Sequence, residues 1–451
     1  MNLKDKHFNN ENDKKKRLVL VKPPEDSFFS FGGFSLAVLA AAVRHIADVS
    51  IVDCTTMTVE QAAQKILAHQ PDIIGITLMG FSSLSNGIEL IRAITAAVPA
   101  GETVPTIITG GHGAFIFPEK ILEAGSQCVV FGEGELTLQE ILREGIRPGM
   151  PGTIVLSDVL SDDLSDGKLV HGKPRKPIVP MDQLDTPARD LIDSPPNNMH
   201  LLETSRGCPH RCKFCETTKF FGRRWRALSP ERVVREVDLL IEKYDGWIIQ
   251  IADDNFTADI GRVKDICRRL LDEEILPAYF MLSARADDLV RDPELLPLMA
   301  RARMLRIQVG IDTLDPELSR QVNKTISSGI YRDLFQRMRE LGIFSVGSVI
   351  VGLPGETPQA REKILERVVD VLPDAAHFIP YLPLPGLPRE EKHVGFDPLP
   401  EDEAEAARLN RDYYREPVVL KQLTELTLRG DIQAQLAMGV LREKKGIVEK
   451  P

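Results

Sequence analysis

Short apolar runs alternate with amphipathic helical patterns through the first third of the chain. The runs are rich in β-branched residues and have the length of buried strands. The predicted strands are 17–21, 49–52, 72–77, 106–109 and 128–131, and the predicted helices are 35–46, 59–69, 85–97 and 119–124. Strands that alternate with helices in this way predict an α/β domain over residues 17–150, built on a doubly wound parallel, Rossmann-like sheet.

A second series of strands and helices begins near residue 197. The predicted strands are 200–204, 247–252, 278–283, 305–310, 346–351 and 377–381, and the predicted helices are 229–244, 259–274, 292–302, 316–321, 330–341 and 358–371. Six strands with a helix between each pair predict a partial (β/α)6 barrel of TIM type over 197–390. The chemistry of such a barrel lies at the carboxyl ends of its strands.

Three further segments complete the predicted organisation. Residues 1–16 are polar and rich in lysine, and we expect a disordered tail. Residues 151–196 are rich in Pro, Gly and Asp, and we interpret them as a linker with one small hairpin. Residues 391–451 show helical, amphipathic patterns, so we expect a short helical carboxy-terminal region. Tyr413 and Tyr414 in this region are interpreted as packing residues.

Composition and charge argue against several classes of protein. The chain has 451 residues with 56 Lys+Arg and 66 Asp+Glu, a formal net charge of −10. This acidic balance argues against a nucleic-acid binder, which needs basic groups to neutralise phosphates. The apolar run 34–43 is too short to span a membrane. The polar amino terminus does not look like a secretory signal, so we expect a cytoplasmic protein without a membrane span.

The strongest motif is a cluster of three cysteines directly after the first strand of the second series. Cys208, Cys212 and Cys215 are spaced C-x3-C-x2-C. Four irons need four ligands, so three cysteines leave one iron open to a small molecule, as a catalytic iron–sulfur cluster requires. Structural zinc is the alternative, but zinc takes a closed tetrahedral ligand set, and His210 is too tightly flanked to complete one. The other cysteines are interpreted as buried hydrophobic residues: Cys54, Cys128 and Cys267.

The cysteine spacing followed by a six-strand barrel pattern resembles the radical S-adenosylmethionine (SAM) superfamily. The resemblance implies a [4Fe-4S] cluster on the three cysteines and SAM on its open iron. Carried over position by position, it gives these SAM-binding candidates: Phe214, Asp253, Asp254, Ser283, Arg285, Asp312 and Gly352. Two departures are visible, since Asp312 stands where relatives commonly have Glu, and Leu387 replaces a Thr. Taken singly, Asp253-Asp254, Arg285 and Gly352 each have an ordinary structural explanation, but together each lies at the carboxyl end of a predicted strand.

The loops of the first domain point to a different ligand. The first strand is not followed by G-x-G-x-x-G, so a dinucleotide site is unsupported. Glycine-rich and serine-containing loops follow the third, fourth and fifth strands instead, and they resemble the cobalamin-binding domain fused to many radical SAM enzymes. The resemblance gives these cobalamin-binding candidates: Thr77, Ser82, Ser83, Gly110, Gly111, His112, Gly132, Glu133 and Gly134. The alternative is a docking sheet without a cofactor.

One departure from the cobalamin-binding pattern concerns the histidine that binds cobalt. Domains of the methionine-synthase type carry D-x-H-x-x-G after the first strand, and the His of that motif binds cobalt. This chain lacks the motif, so we expect cobalamin to be held without that ligand. We interpret His112 as a hydrogen-bonding loop residue and not as an axial ligand.

Together the resemblances imply a C-methyltransferase that acts on an unactivated carbon of a small or lipid-like substrate. The cluster and SAM would generate a 5′-deoxyadenosyl radical, and methylcobalamin would donate the methyl group. Electrons would come from an external donor of flavodoxin or ferredoxin type. Two alternatives stay open: cobalamin-dependent oxidation, cyclisation or rearrangement without methyl transfer, and a non-catalytic iron–sulfur protein.

Replacing Cys208, Cys212 or Cys215 by Ala is expected to abolish formation of 5′-deoxyadenosine from SAM, because two thiolates cannot hold the cluster. Cleavage of SAM is measured after anaerobic reconstitution with iron and sulfide. A triple variant that still cleaves SAM would contradict the cluster assignment.

Overall fold

The computed structural model describes residues 15–25, 33–79, 81–157, 168–193, 199–221, 224–384, 387–388, 398–431 and 433, without the side chains of 81, 82, 218 and 219. The chain forms two compact units. The first contains Met1–Ile178 and Leu184–Asp193, and the second contains Val179–Gln183 and Ser194–Pro451. Most of the predicted disordered tail lies outside the described residues.

The first unit is built on a seven-stranded sheet. Its strands are β1 (Arg17–Lys22), β2 (Asp48–Asp53), β3 (Ile73–Thr77), β4 (Thr106–Gly110), β5 (Cys128–Val130), β6 (Thr153–Leu156) and β7 (Leu169–His171). Its helices are α1 (Phe34–Val43), α2 (Val59–Ala68), α3 (Phe81–Ala97), α4 (His112–Ile116), α5 (Pro118–Glu123) and α6 (Gly134–Glu144). The strand order is β2-β1-β3-β4-β5-β6-β7.

Strands β1 to β5 are parallel, and β1 lies between β2 and β3. Two separate apolar clusters are formed. One contains Val19, Ile74 and residues of α2 and α3, and the other contains Leu18, Ile73 and residues of α1 and α6. Alternate residues of one strand therefore enter different cores, because successive side chains point to opposite faces of a sheet. The predicted doubly wound, Rossmann-like sheet is confirmed.

The segment interpreted as a linker contributes two strands to this sheet. β6 pairs antiparallel with β5, and β7 pairs antiparallel with β6. The strands have only four and three residues. Runs this short give little periodic signal, so the sequence indicated a hairpin but not its place in the first sheet.

The second unit contains a six-stranded parallel sheet flanked by helices. The strands of this sheet are β8 (Met199–Leu202), β11 (Ile248–Ile251), β12 (Tyr279–Ala284), β13 (Arg306–Asp312), β14 (Phe344–Val351) and β15 (Ala375–Pro380). Two further short strands lie between β8 and β11 in the chain, β9 (Ser205–Arg206) and β10 (Arg226–Ala227). The main sheet runs β8-β11-β12-β13-β14-β15, in chain order, while β9 and β10 form a separate antiparallel pair. This arrangement confirms the predicted partial (β/α)6 barrel.

Helices follow the barrel strands and continue into the carboxy-terminal region. They are α7 (Thr217–Phe220), α8 (Pro230–Tyr244), α9 (Ile260–Asp272), α10 (Ala286–Arg291), α11 (Leu295–Arg301), α12 (Pro316–Gln321), α13 (Ser328–Glu340), α14 (Pro358–Glu362), α15 (Ile364–Val371), α16 (Pro400–Asp412) and α17 (Pro417–Leu428). Within the described ranges, no helix combines the length and the apolar character needed to cross a bilayer.

The two carboxy-terminal tyrosines pack against the barrel. The hydroxyl of the fully buried Tyr413 donates to the carbonyl of Pro373 (2.6 Å), and the hydroxyl of Tyr414 donates to the carbonyl of Ala376 (3.2 Å). Buried hydroxyls need such partners. The packing role predicted for these residues is confirmed.

Helix α16 also approaches the loop after β14. Arg361 donates to Asp402 of α16 and to Glu356 (2.5 Å each), and Glu356 accepts from the backbone N–H of Gly352 (3.2 Å). Gly352 has φ = +84°, and a Cβ at this position would overlap the Asp402 carboxylate. Only glycine fits both the backbone conformation and this close approach.

Gly352→Ala is therefore expected to destabilise the protein more than Gly342→Ala. Gly342 also has a positive φ (+72°), but a Cβ there would meet nothing within 4 Å. Both variants pay backbone strain of about 1–3 kcal/mol, and only Gly352→Ala adds the overlap with Asp402. Denaturant-induced unfolding measures the difference. An equal loss of unfolding free energy in both would contradict the close contact.

Candidate functional site

The three motif cysteines lie in one loop after β8 and β9, at the carboxyl end of the first barrel strand. Cys212 is buried, and Cys208 and Cys215 are half-buried. Burial, with a smaller contribution from the neighbouring Cys215 and Cys212 thiols, raises the pKa of Cys208 to about 11. Three sulfur donors in one partly shielded loop fit an iron–sulfur cluster, because metal binding displaces thiol protons. Among the described residues, no three His, Cys, Asp or Glu side chains are grouped so as to hold a single metal ion.

The remaining cysteines are fully buried, as the sequence predicted. Burial raises the pKa of Cys54 to about 11 and the pKa values of Cys128 and Cys267 to about 12. Protonated, buried thiols of this kind are chemically inert.

Two adjacent acids at the end of β11 contact the cysteine loop in different ways. The buried Asp253 accepts four hydrogen bonds, from the backbone N–H and hydroxyl groups of Thr204 and Ser205. Asp254 is exposed and accepts from the N–H of Gly207 (3.1 Å) and from the hydroxyl of Thr217 (2.8 Å). Both were predicted to contact SAM. In the structure the Asp253 carboxylate is buried and bonded only within the protein, while the Asp254 carboxylate is exposed and also bonds Gly207 and Thr217.

Arg285, just after β12, lies beside a cysteine of the loop. Its guanidinium forms two hydrogen bonds of 2.9 Å to Asp287, and a third (3.4 Å) from Nη1 to Sγ of Cys212. Burial lowers the pKa of Arg285, but the bonds to Asp287 and the Cys212 thiol outweigh it and raise the pKa above its usual range. Ser283 is half-buried two residues earlier. A cation therefore contacts one of the predicted cluster ligands.

The end of β13 carries a strained acid and a buried lysine. Asp312 adopts φ = +59° at an irregularity in the pairing of β13 with β14. Lys324 forms an ion pair with Asp312, and its ammonium donates to the carbonyl of Gly310 (2.9 Å). Left-handed backbone at a non-glycine residue costs conformational free energy, so the surrounding contacts must hold Asp312 in this conformation. Lys324 was missed by the sequence analysis, because one lysine in a polar segment carries no distinguishing pattern.

The segment around Lys324 also holds the cysteine loop. The N–H of Lys213 donates to the carbonyl of Val322 (3.1 Å), and the Asn323 amide donates to the carbonyl of Arg211 (3.0 Å). The cysteine loop is thus joined to the ends of both β11 and β13.

An apolar cluster joins the cysteine loop to the end of β14. Phe214 and Ile350 pack against the buried residues Leu318, Val322, Leu353 and Tyr381. Phe214 and the Gly352-Leu353 segment were predicted to lie near the SAM adenine. The structure brings Phe214 and Leu353 into one apolar cluster at the same edge of the barrel, and their proximity to the adenine stays a prediction.

Most cobalamin-binding candidates of the first unit lie at the carboxyl ends of its strands. Thr77 ends β3, Gly110 ends β4, Gly111 precedes α4, His112 begins α4, and Gly132 follows β5. Ser83 is buried in α3, and the side chain of Ser82 lies outside the described residues. Ligands of doubly wound sheets bind at this edge.

Two candidates have other contacts in the structure. Glu133 accepts from the N–H of Ile178 (2.8 Å), so its carboxylate holds the chain segment that follows β7. Gly134 begins α6, and a Cβ there would lie 3.0 Å from Leu39 of α1. Close packing of the two helices thus explains this glycine without a ligand.

The same edge exposes apolar side chains that the sequence analysis missed. Met79 is 54% exposed and Phe115 is 43% exposed. The Phe115 and Phe131 rings lie 5.6 Å apart at an angle of 33°. Large exposed apolar groups beside glycine loops suit a flat macrocycle such as a corrin. The signal was present in the sequence, since each of these residues adjoins or lies close to a predicted loop glycine.

Comparisons with known proteins match a different family in each part of the chain. Residues 202–368 match the radical SAM superfamily, and residues 32–142 match the B12 binding domain. An uncharacterized methyltransferase of Pyrococcus horikoshii is 28% identical over 82% of this chain and 81% of its own length. The anaerobic magnesium-protoporphyrin IX monomethyl ester cyclase of Rubrivivax gelatinosus is 27% identical over 75% of this chain and 61% of its own length.

A solved structure extends the comparison to the fold. The radical SAM methyltransferase TsrM from Kitasatospora setae, with cobalamin and a [4Fe-4S] cluster bound, has a TM-score of 0.67 and 19% identity. The match covers 83% of this chain and 74% of TsrM. At this level of identity, the likeness shows a shared fold.

Asp254→Ala is expected to weaken SAM binding by about tenfold, the loss expected for one charged hydrogen bond, and to leave cobalamin binding nearly unchanged. Equilibrium dialysis of the reconstituted protein measures both affinities. Equal weakening of both would indicate misfolding and would contradict a specific contact with SAM.

Proposed function

We propose that this chain, which belongs to the radical SAM superfamily and carries a B12 binding domain ahead of its barrel, methylates an unactivated carbon of a small or lipid-like substrate. The chain is a radical SAM enzyme whose cofactors are a [4Fe-4S] cluster, SAM and cobalamin. The observation that carries the proposal is the occurrence of two sites in one chain. One is the three-thiol loop at the edge of the barrel, and the other is the glycine-rich, apolar edge of the first sheet.

The cofactors supply the reactive chemistry when bound, namely radical generation from SAM and relay of a methyl group. The residues of the chain bind and orient these groups. Cys208, Cys212 and Cys215 hold the cluster, and the exposed Asp254 is suited to the SAM amino group. Phe214 and its apolar neighbours contact the adenine and exclude water from it.

In the first unit, the exposed apolar side chains and the glycine loops bind the corrin ring of cobalamin. Met79 and Phe115 offer apolar surface, and Gly110 permits close approach of the backbone, whereas a Cβ at Gly111 would already overlap the backbone of Leu78. His112 hydrogen-bonds the cofactor or the protein.

One relative supports methyl transfer. It is named an uncharacterized methyltransferase, and the match covers 82% of this chain. The name of the cyclase relative gives its substrate as a macrocyclic ester, which supports a small or lipid-like molecule here.

An external one-electron donor of flavodoxin or ferredoxin type is part of the proposal. The chain has six cysteines, and the three outside the motif are isolated and buried. They do not form a second cluster motif that could pass electrons to the first.

A second candidate function is oxidative cyclisation without methyl transfer. It is favoured by the likeness to the cyclase, although this chain spans 61% of that relative's length. The non-catalytic alternative is set aside, because residues 202–368 match an enzyme superfamily.

The reconstituted protein is expected to form both 5′-deoxyadenosine and S-adenosylhomocysteine under anaerobic reduction, because methyl transfer uses one SAM for each product. Liquid chromatography with mass spectrometry measures both products in parallel samples with and without added cobalamin. The matched sample without cobalamin should form 5′-deoxyadenosine alone. Formation of 5′-deoxyadenosine without S-adenosylhomocysteine in the presence of cobalamin would contradict methyl transfer and favour oxidative chemistry.

A further inference from the structure

We infer that Asp253 is a positioning residue that fixes the start of the cysteine loop, and that it does not contact SAM. This inference rests on the assignment of the cluster to Cys208, Cys212 and Cys215, and it is independent of methyl transfer.

The Asp253 carboxylate has no remaining hydrogen-bonding capacity. Oδ1 accepts from the N–H groups of Thr204 (2.7 Å) and Ser205 (2.9 Å). Oδ2 accepts from the hydroxyls of the same two residues, at 2.6 Å each. A carboxylate offers about four acceptor positions, and all four are used. The side chain is also only 5% exposed, so a ligand ammonium group would have to displace one of these bonds.

Other contacts also hold this short segment. The carbonyl of Thr204 accepts from the N–H of Leu228 and from Nη2 of Arg262, at 2.9 Å each. Ser205 and Arg206 form β9 and pair with β10. Every backbone polar group of Thr204 is therefore bonded. A shift of this segment would break several buried bonds at once.

The fixed segment sets the path of the chain into Cys208. Gly207, two residues after Ser205, has φ = +84°, and a Cβ there would overlap the carbonyl of Arg224. Its N–H donates to Asp254, and Asp254 also accepts from Thr217, two residues past Cys215. Asp253 thus fixes the segment before the first cysteine, and Asp254 joins the two ends of the loop.

Asp253→Asn is the sharpest test, because the amide keeps the shape but turns one acceptor oxygen into a donor. The amide nitrogen can donate to the Thr204 and Ser205 hydroxyls, but the hydrogens of those hydroxyls then lose the acceptor that they have in the wild-type protein, which costs free energy in a buried site. Asp374→Asn is the matched control. Asp374 is equally buried and accepts four bonds, from Ser345 (N–H and hydroxyl), Arg339 and Gln422, but it lies just before β15, at the amino ends of the strands.

The experiment measures iron and sulfide per chain after anaerobic reconstitution and desalting, the electron paramagnetic resonance spectrum of the reduced cluster, and thermal unfolding of each variant. Asp253→Asn is expected to retain at most a third of the wild-type iron. Asp374→Asn is expected to retain wild-type iron at an equal or larger loss of thermal stability, because each Asp374 oxygen accepts from an N–H group. The Asp253→Asn chains that keep a cluster should bind SAM within twofold of the wild-type affinity.

A milder variant keeps the test valid if Asp253→Asn does not fold. Ser205→Ala removes one donor hydroxyl and leaves the other three bonds, so a smaller loss of iron is expected. Full iron content with a tenfold weaker SAM affinity in Asp253→Asn would overturn the inference and make Asp253 a SAM ligand. Loss of iron in Asp374→Asn equal to that in Asp253→Asn would also overturn it, since the effect would then follow from stability alone.

These readouts need neither cobalamin nor substrate. A failure to detect S-adenosylhomocysteine would therefore contradict the proposed function and leave the role of Asp253 intact. An Asp253→Asn variant with full iron content would contradict the role of Asp253 and leave the proposed function intact.

Discussion

The parallel direction of the six barrel strands is the constraint on which the second unit depends. Parallel strands place all their carboxyl ends at one edge, so loops far apart in sequence meet there. The cysteine loop follows β8, Asp253 and Asp254 follow β11, Arg285 follows β12, and Asp312 ends β13. Hydrogen bonds then join these loops to one another, so the geometry of the site depends on several loops at this edge and not on one of them alone.

Charged side chains at this edge are buried only where they form hydrogen bonds or ion pairs with other groups of the protein. The Asp253 carboxylate is bonded to four donors, Arg285 to Asp287, and Lys324 to Asp312. An unpaired buried charge would cost several kcal/mol, on the order of the stability of a whole domain. The network thus fixes the loops in one arrangement while leaving Asp254 exposed at the same edge.

Much of the fold could be predicted because apolar strands and amphipathic helices leave a clear pattern. All six barrel strands and five strands of the first sheet lie where the pattern put them. The cysteine spacing and the proximity of Phe214 to the loop after β14 were also readable. In each of these cases the signal is carried by residue type at a fixed spacing.

Other features depend on tertiary contacts that no local pattern records. Asp253 and Asp254 are identical neighbours, and only the path of the chain decides which of them turns inward. Lys324 becomes part of the site through a bulge in β13 that the sequence does not mark. Helix α4 has five residues, too few to show a period.

The hairpin of β6 and β7 has a consequence for the solution behaviour of the protein. Without it, β5 would be an uncovered edge of fully buried residues, and such an edge recruits strands from other chains. The hairpin replaces that edge with β7, which has three residues, none of them buried. Short, partly polar edge strands resist intermolecular pairing. The hairpin thus protects this edge of the first sheet against aggregation, beside the loop that carries Gly132.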